Sequence, residues 1–338
     1  MRRFVLALAS CSLILGCGGS KGGGGNGDMD APPLTGDKYE LTWGPVAVQP
    51  GVENTQCIIA RLSNSTDIMV HQMHNTISTG SHHMIVYKDD MDTTEQLTPF
   101  DCQPFTGALN QSGMVTPLMI TQKSDDELTL PTGVAHHLAA NQMMRIELHY
   151  INTTDTPEMV TGTTELYAAD PATIKNEANI LFIGTPDISL PPGAMTTVEQ
   201  FFTPSRANMD LSSTKIFAIT GHTHHFGTDM QVATALTNGG TRTPVYAPNP
   251  FVWSEPITQV WSPEFSIPTG GGFDFKCVYD NTGSTTVKFG ESANDEMCFF
   301  WMYYYPSKGS HVCFHSDNYG GIDVCCPDAG TVCNNIKF

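Results

Sequence analysis

Cationic side chains are scarce in this 338-residue chain: 16 Lys and Arg stand against 34 Asp and Glu, a net charge of −18. A phosphate-binding surface needs the opposite sign, which argues against nucleic acid as a partner. The acidic balance suits a solvated surface on an exported protein. Charged residues of both signs make up only 15% of the chain. Strongly periodic helical stretches are scarce too. Beyond residues 4–15, no run is long and apolar enough to cross a membrane as a helix. Ten cysteines contain no Cys-x-x-Cys pair, so zinc-ribbon chemistry is a poor fit. What the chain does have is glycine (31), proline (22) and short Val/Ile/Thr/Phe runs between turn signals, such as Thr214 to Thr220. That pattern predicts an all-β protein, long enough for about two domains.

The first residues read as a targeting signal. Arg2-Arg3 precedes a short apolar run from Phe4 to Leu15, and the run ends in Leu15-Gly16-Cys17. This ending resembles a bacterial lipobox, which implies cleavage before Cys17 and acylation of its thiol and amine. A Gly/Ser/Lys stretch follows, the flexible tether that a lipoprotein needs between bilayer and folded body. The expected organisation is a signal peptide at 1–16, a lipidated and disordered tether at 17–38, strand-rich domains at 39–170 and 171–306, and a cysteine-rich tail at 307–338. The expected location is the cell envelope, at the outer membrane, facing the periplasm or the surface. With Cys11 lost and Cys17 acylated, eight cysteines remain, an even number that reads as disulfides in an exported protein.

Twelve histidines are unusual in such a chain, and several cluster. On an extended strand, positions i and i+2 share a face, so His222 and His224 can grip one metal ion. His82 and His83 are adjacent, so they can meet one ion only at a bulge or strand end, which Gly80-Ser81 permits. Imidazole suits copper, zinc, iron or nickel, whereas a thioether sulfur favours Cu(I). The sequence His222-Thr223-His224-His225 lacks the aspartate of the His-x-His-x-Asp-His motif in dinuclear zinc hydrolases. His136-His137 lies in a turn-like context and is expected to be exposed. His71 and His74 are expected at the surface of a strand or loop. Glu147 shares the face of His149, where it could be a partner to that histidine or a solvated carboxylate.

Four motifs in order, His82-His83-Met84, Leu148-His149-Tyr150, His222-Thr223-His224 with Phe217 and Gly227, and Asp295-Glu296-Met297-Cys298, resemble those of the copper type II, ascorbate-dependent monooxygenases. The likeness spans most of the chain. It implies two tandem jelly-roll-like β-sandwich domains, each carrying one copper ion across a solvent cleft. It implies that His82, His83 and His149 hold the copper that supplies an electron. His222, His224 and Met297 would hold the copper where O2 and a small-molecule substrate meet. It also implies the disulfides Cys57–Cys102 and Cys277–Cys298, and a one-electron donor, ascorbate or another reductant, as cosubstrate. No pairing follows for Cys313, Cys325, Cys326 and Cys333.

Departures from the family pattern are equally specific. Tyr87 and Asp89 stand where the first signature continues with Phe and Cys, and Lys215 replaces the histidine that opens the second. The positions expected to supply an Arg, an Asn and a Tyr to clamp a peptide carboxylate hold Thr220, Phe299 and Trp301. Without a guanidinium the carboxylate loses its bidentate partner, so peptide amidation is not expected. Met297, Phe299 and Trp301 alternate onto one strand face, and Phe299 and Trp301 are expected to wall an apolar or aromatic substrate site. The expected activity is hydroxylation of a C–H bond. A copper store without turnover, or a module in which metal only braces two sandwiches, is the alternative.

Overall fold

The computed structural model describes residues 35–103, 114–290, 292, 294–328 and 333. The signal segment and Cys17 lie outside these residues. The first strand starts at Asp37, so the last tether residues are already in a sheet. Strands account for nearly all the regular structure, with short 3-10 turns at Pro171–Thr173 and Pro204–Ala207. Among the described residues no helix is long and apolar enough to cross a membrane.

In the first half, a five-stranded sheet runs Gln96–Asp101, Glu53–Arg61, Met143–Ile151, Ser81–Asp89 and Val115–Thr121 in spatial order. Facing it is a six-stranded sheet built on Asp37–Val48, Glu158–Ala169 and Ile68–Ile77. Asn176–Glu177 closes this sheet by pairing in parallel with Val134–Leu138. In the second half, a six-stranded sheet has Lys215–His222 and Cys298–Tyr305 near its centre. A four-stranded sheet, Ala194–Phe202, Gly272–Asn281, Gly227–Ala235 and Thr243–Tyr246, packs on one of its faces.

The strand Cys298–Tyr305 explains how the halves meet. Eight apolar residues in a row leave no polar face, the pattern of a strand covered on both sides. Phe300, Met302 and Tyr304 enter the core of the second half. Phe299, Trp301 and Tyr303 alternate to the other face and join Met84, Leu118 and Leu148 of the first half in one apolar cluster. The Tyr303 hydroxyl also accepts a hydrogen bond from the Ile120 N–H at 3.2 Å. One sheet is therefore the shared middle layer, and the halves have a common core.

Four disulfides staple the fold: Cys57–Cys102, Cys277–Cys298, Cys313–Cys325 and Cys326–Cys333. The first two are the pairs that the family resemblance implies. The cysteine-rich segment is not a loose appendage. His311–Ser316 lies parallel to Asn179–Thr185 and pairs with Ile322–Cys326, which extends the six-stranded sheet. The Asp187 carboxylate accepts bonds from the Ser316 hydroxyl and the Asp317 N–H, both at 2.7 Å, and so ties this hairpin to the second half.

His315 in this hairpin donates to Asp323 at 2.7 Å and faces Asp317 at 3.3 Å. Asp323 and Asp317 raise its pKa above the ordinary value by favouring the imidazolium, although burial opposes them. The stabilisation is fully present below the unfolded histidine pKa and fades as pH rises through the raised one. His315→Gln should therefore lower the melting temperature more at pH 5.5 than at pH 8.5. Equal losses at the two pH values in thermal unfolding would rule out this linkage.

Candidate metal centre

The first histidine set is assembled by strand pairing. His83 lies directly across from His149, and the register slips between Ser81 and His83. His82 therefore occupies a bulge, as the adjacent histidines require. Gly80, at φ +82°, starts the bulge in the left-handed region, and a β-carbon there would lie 2.8 Å from Glu158 Oε2. The ring centroids of His82, His83 and His149 are 5.4, 5.2 and 5.1 Å apart. Their ligand nitrogens fall within 4.8 Å of one another.

A carboxylate orients one of these rings, and a second lies near another. His149 donates through Nε2 to Glu53 Oε1 at 3.0 Å, which leaves the Nδ1 lone pair for a metal. His83 Nε2 lies 3.8 Å from Glu147 Oε1. Glu147 is fully buried and accepts a 2.8 Å bond from the Tyr87 hydroxyl. Glu53 is thus the carboxylate bonded to His149, while Glu147, buried and held by Tyr87, faces His83 beyond hydrogen-bond distance. Tyr87 is the departure from the family's Phe, so the bond from its hydroxyl to Glu147 belongs to this chain. Burial pushes the His83 pKa down to about 4, and burial with repulsion from His83 does the same to His149. His82 is driven well below its ordinary value. All three rings are neutral at pH 7, as metal ligation requires.

The second set sits where the strand Lys215–His222 runs out. His222 pairs with Phe299, and just beyond it His224 bonds the residues that precede Met297, Asp295 and Glu296. A buried carboxylate completes the turn: Glu296 accepts from the N–H groups of His224 (2.8 Å), Phe226 (2.7 Å) and Met297 (3.2 Å). Burial pushes the Glu296 carboxyl up to about 7 against the pull of these three donors. Gly227 admits the tight turn, because a β-carbon there would lie 1.9 Å from Thr223 Oγ1. His224 donates through Nδ1 to the Asp295 carbonyl at 3.0 Å and so offers Nε2 to a metal. The Cys277–Cys298 bridge and the Tyr279 hydroxyl on the Met297 carbonyl, at 2.7 Å, fix the segment that carries the thioether.

The two sets are not separated by an open cleft. The His82 ring lies 6.5 Å from that of His222 and 6.3 Å from that of His224. His83, His149, His222 and His224 are all buried. Gln122, at the end of the strand Val115–Thr121, crosses between the halves. Its amide reaches His222 Nδ1, with Nε2 at 3.0 Å and Oε1 at 3.3 Å. When the ring donates from Nδ1 to Oε1, Nε2 is the free donor atom. The shared core holds the halves this close.

Residues 176–322 match the family model described as copper type II ascorbate-dependent monooxygenase, C-terminal domain. These residues form that domain. The match takes in His222, His224 and Met297, while His82, His83 and His149 lie before it. No curated protein matches the chain. Among solved structures, the chain is similar to the major capsid protein P2 of bacteriophage PM2, at 8% identity and a TM-score of 0.34, over 81% of this chain and 100% of that one. It is similar to PNGase F, a glycosylasparaginase from Flavobacterium meningosepticum, at 9% identity and a TM-score of 0.34, over 80% of this chain and 97% of that one. At these scores neither likeness bears on fold or function.

A cavity of about 600 Å³ is lined by residues of both halves and reaches His82 of the first histidine set. His82, Gln122, His225, Trp253 and Glu255 line it with several Ser and Thr hydroxyls, and among the described residues no Lys or Arg does. Trp253 stands 6.1 Å from the His82 ring and 6.3 Å from the His225 ring. Thr220, Phe299 and Trp301 are not on this wall. Thr220 is buried and bonds Thr258 at 2.8 Å, while Phe299 and Trp301 pack between the halves. Sequence periodicity correctly put Met297, Phe299 and Trp301 on one face. It could not tell that this face meets the first half. Trp253 and Gln122 carried no signal of their own, since each arrives from a loop or strand end. His136 is buried, and His137 hydrogen-bonds Asp67 at 3.1 Å within the strand Val134–Leu138, so the pair is not the exposed turn that the sequence suggested. His74 lies between Glu165 and Asp125, each at 3.0 Å.

Proposed function

We propose that this protein is a copper-dependent monooxygenase that hydroxylates a C–H bond of a small substrate, using O2 and an external one-electron reductant such as ascorbate. The observation that carries the proposal is the convergence of five neutral histidines and the Met297 segment beside a cavity, within and next to a domain of this family. The donor set fits copper, because buried neutral imidazoles with one nitrogen already oriented present lone pairs, and a thioether favours Cu(I). Copper in these sites would supply one-electron transfer and O2 activation.

The chain's own residues position and protect. His222, His224 and Met297 would hold the ion where O2 and substrate meet, and His82, His83 and His149 the ion that delivers the second electron. Glu53 and the Asp295 carbonyl set the orientation of the His149 and His224 rings. Trp253 and Gln122 bound the cavity in which the substrate carbon would sit. Among the described residues it has no guanidinium or ammonium, which argues against a carboxylate-bearing substrate. Copper-loaded protein with ascorbate should consume O2 steadily across a panel of small organic compounds and yield a hydroxylated product. Oxygen uptake that stops once the bound copper has been oxidised would identify a copper store instead.

We also propose that Cys17 carries lipid and tethers the protein to the bilayer in the cell envelope, on the support of the Leu15-Gly16-Cys17 motif and the glycine-rich stretch behind it. Metabolic labelling with an alkyne fatty acid should tag the protein, and Cys17→Ala should abolish the tag and release the chain to the soluble fraction. Undiminished labelling of Cys17→Ala would end this idea.

A further inference from the structure

We propose that Trp301 and Tyr305 form a redox ladder that carries oxidising equivalents from the His222 site to the protein surface when no substrate consumes them. This rests on the copper reading above. A site that reduces O2 and lacks a substrate leaves oxidant of the peroxide class among the groups around it. Met297 is the most vulnerable of these, since a thioether is readily converted to its sulfoxide, a polar and different donor. Apart from the sulfur side chains, tryptophan and tyrosine give up one electron most easily, and both recover when a reductant returns it.

The strand Cys298–Tyr305 starts next to the thioether and ends at partial exposure. Along one face it presents Phe299, Trp301, Tyr303 and Tyr305, about 6.6 Å apart along the chain by strand geometry. The Trp301 ring lies 6.1 Å from that of His222. Phe217, from the neighbouring strand Lys215–His222, fills the far end of this face, 6.0 Å from the Tyr303 ring and 6.2 Å from the Tyr305 ring. Trp301, Tyr303 and Phe217 are buried, and Tyr305 packs against the same cluster while still reaching solvent. The opposite face sends Phe300 and Met302 into the other core before it reaches Tyr304. The face that touches His222 is thus the one along which easily oxidised rings run to the surface.

Trp301 gives one electron to the oxidant and keeps its N–H proton, because among the described residues no carboxylate or imidazole accepts from that buried group. Tyr305 then returns one electron to Trp301 across the packed Tyr303 and Phe217 rings. As its O–H bond breaks, the proton passes to Glu264, whose carboxylate faces the hydroxyl. The external reductant, ascorbate or another one-electron donor, restores Tyr305 with one electron, and Glu264 gives the proton back. In each cycle one oxidising equivalent leaves the site and one equivalent of reductant is oxidised at the surface.

The full chain, loaded with copper and reduced, tests the proposal when it is mixed with hydrogen peroxide without substrate and frozen for electron paramagnetic resonance. A tyrosyl radical is expected in the wild type. It should be lost in Tyr305→Phe and in Trp301→Phe, each of which keeps a ring in the layer. With ascorbate present, peptide mass spectrometry should show Met297 turning to its sulfoxide several-fold faster in both variants. A wild type without an organic radical would overturn the proposal, as would a radical of undiminished yield in Tyr305→Phe. Equal rates of Met297 oxidation in all three proteins would overturn it too. Substrate hydroxylation without a radical would remove this inference and leave the monooxygenase reading standing. A Tyr305 radical without hydroxylation of any compound would do the reverse.

Discussion

Replacing Glu296 with alanine is expected to destabilise the protein by about 3–6 kcal/mol, because three buried N–H groups lose their acceptor at about 1–3 kcal/mol each and part of the strain relaxes. The carboxylate is fully buried and receives the N–H groups of His224, Phe226 and Met297. Those donors belong to the turn that carries one histidine and to the segment that carries the thioether. Their loss should therefore weaken copper retention at His222, His224 and Met297 more than at His82, His83 and His149. Glu296→Gln keeps one carbonyl acceptor and turns an amide toward the remaining N–H groups, so an intermediate loss is expected. Urea denaturation and metal analysis of the two variants check both points. An alanine variant as stable as the wild type would show that the turn does not depend on this carboxylate.

His224→Ala is expected to reduce substrate hydroxylation by at least about 10³-fold, the scale seen when a transition-state-stabilising group is removed, while the fold survives. The ring is buried, yet its backbone keeps the Glu296 bond, and water can replace a truncated imidazole in a polar nest. Met297→Ala would remove the sulfur proposed for the same ion and should also abolish turnover with the β-sheet circular dichroism unchanged. A bracing role for the metal predicts the opposite pair of results, with lost stability dominating. Oxygen uptake, product formation and thermal unfolding, measured on the same preparations, separate the two. Wild-type rates in His224→Ala would sink the assignment of this histidine to the oxygen-binding ion.

Both expectations depend on contacts between residues distant in sequence, and the chain announced some of these and concealed others. His82-His83 next to Gly80 already required a bulge, since adjacent side chains on a regular strand point to opposite faces, and the register does slip there. His222-Thr223-His224 required one shared face. Glu53 could not be read in the same way, because nothing at Glu53-Asn54-Thr55 marks it. It reaches His149 only because Glu53–Arg61 pairs with Met143–Ile151, where Thr55 faces His149. Glu147 was visible as a neighbour of His149, but the strand register pairs it with Ile85 and so leaves it diagonal to His83, 3.8 Å from its Nε2.

The sequence by itself determined the all-β class and the residues that carry imidazole and thioether, since alternation and side-chain chemistry are local properties, while the pairs Cys57–Cys102 and Cys277–Cys298 followed only from the family resemblance. Tertiary structure alone decided which face of Cys298–Tyr305 meets which core, that the last two strands complete a sheet, and that the two histidine sets lie ring to ring. An apolar run such as Cys298 to Tyr305 has the same period whether its second face meets solvent, substrate or another sheet. Only the burial of that face against the first half settles which.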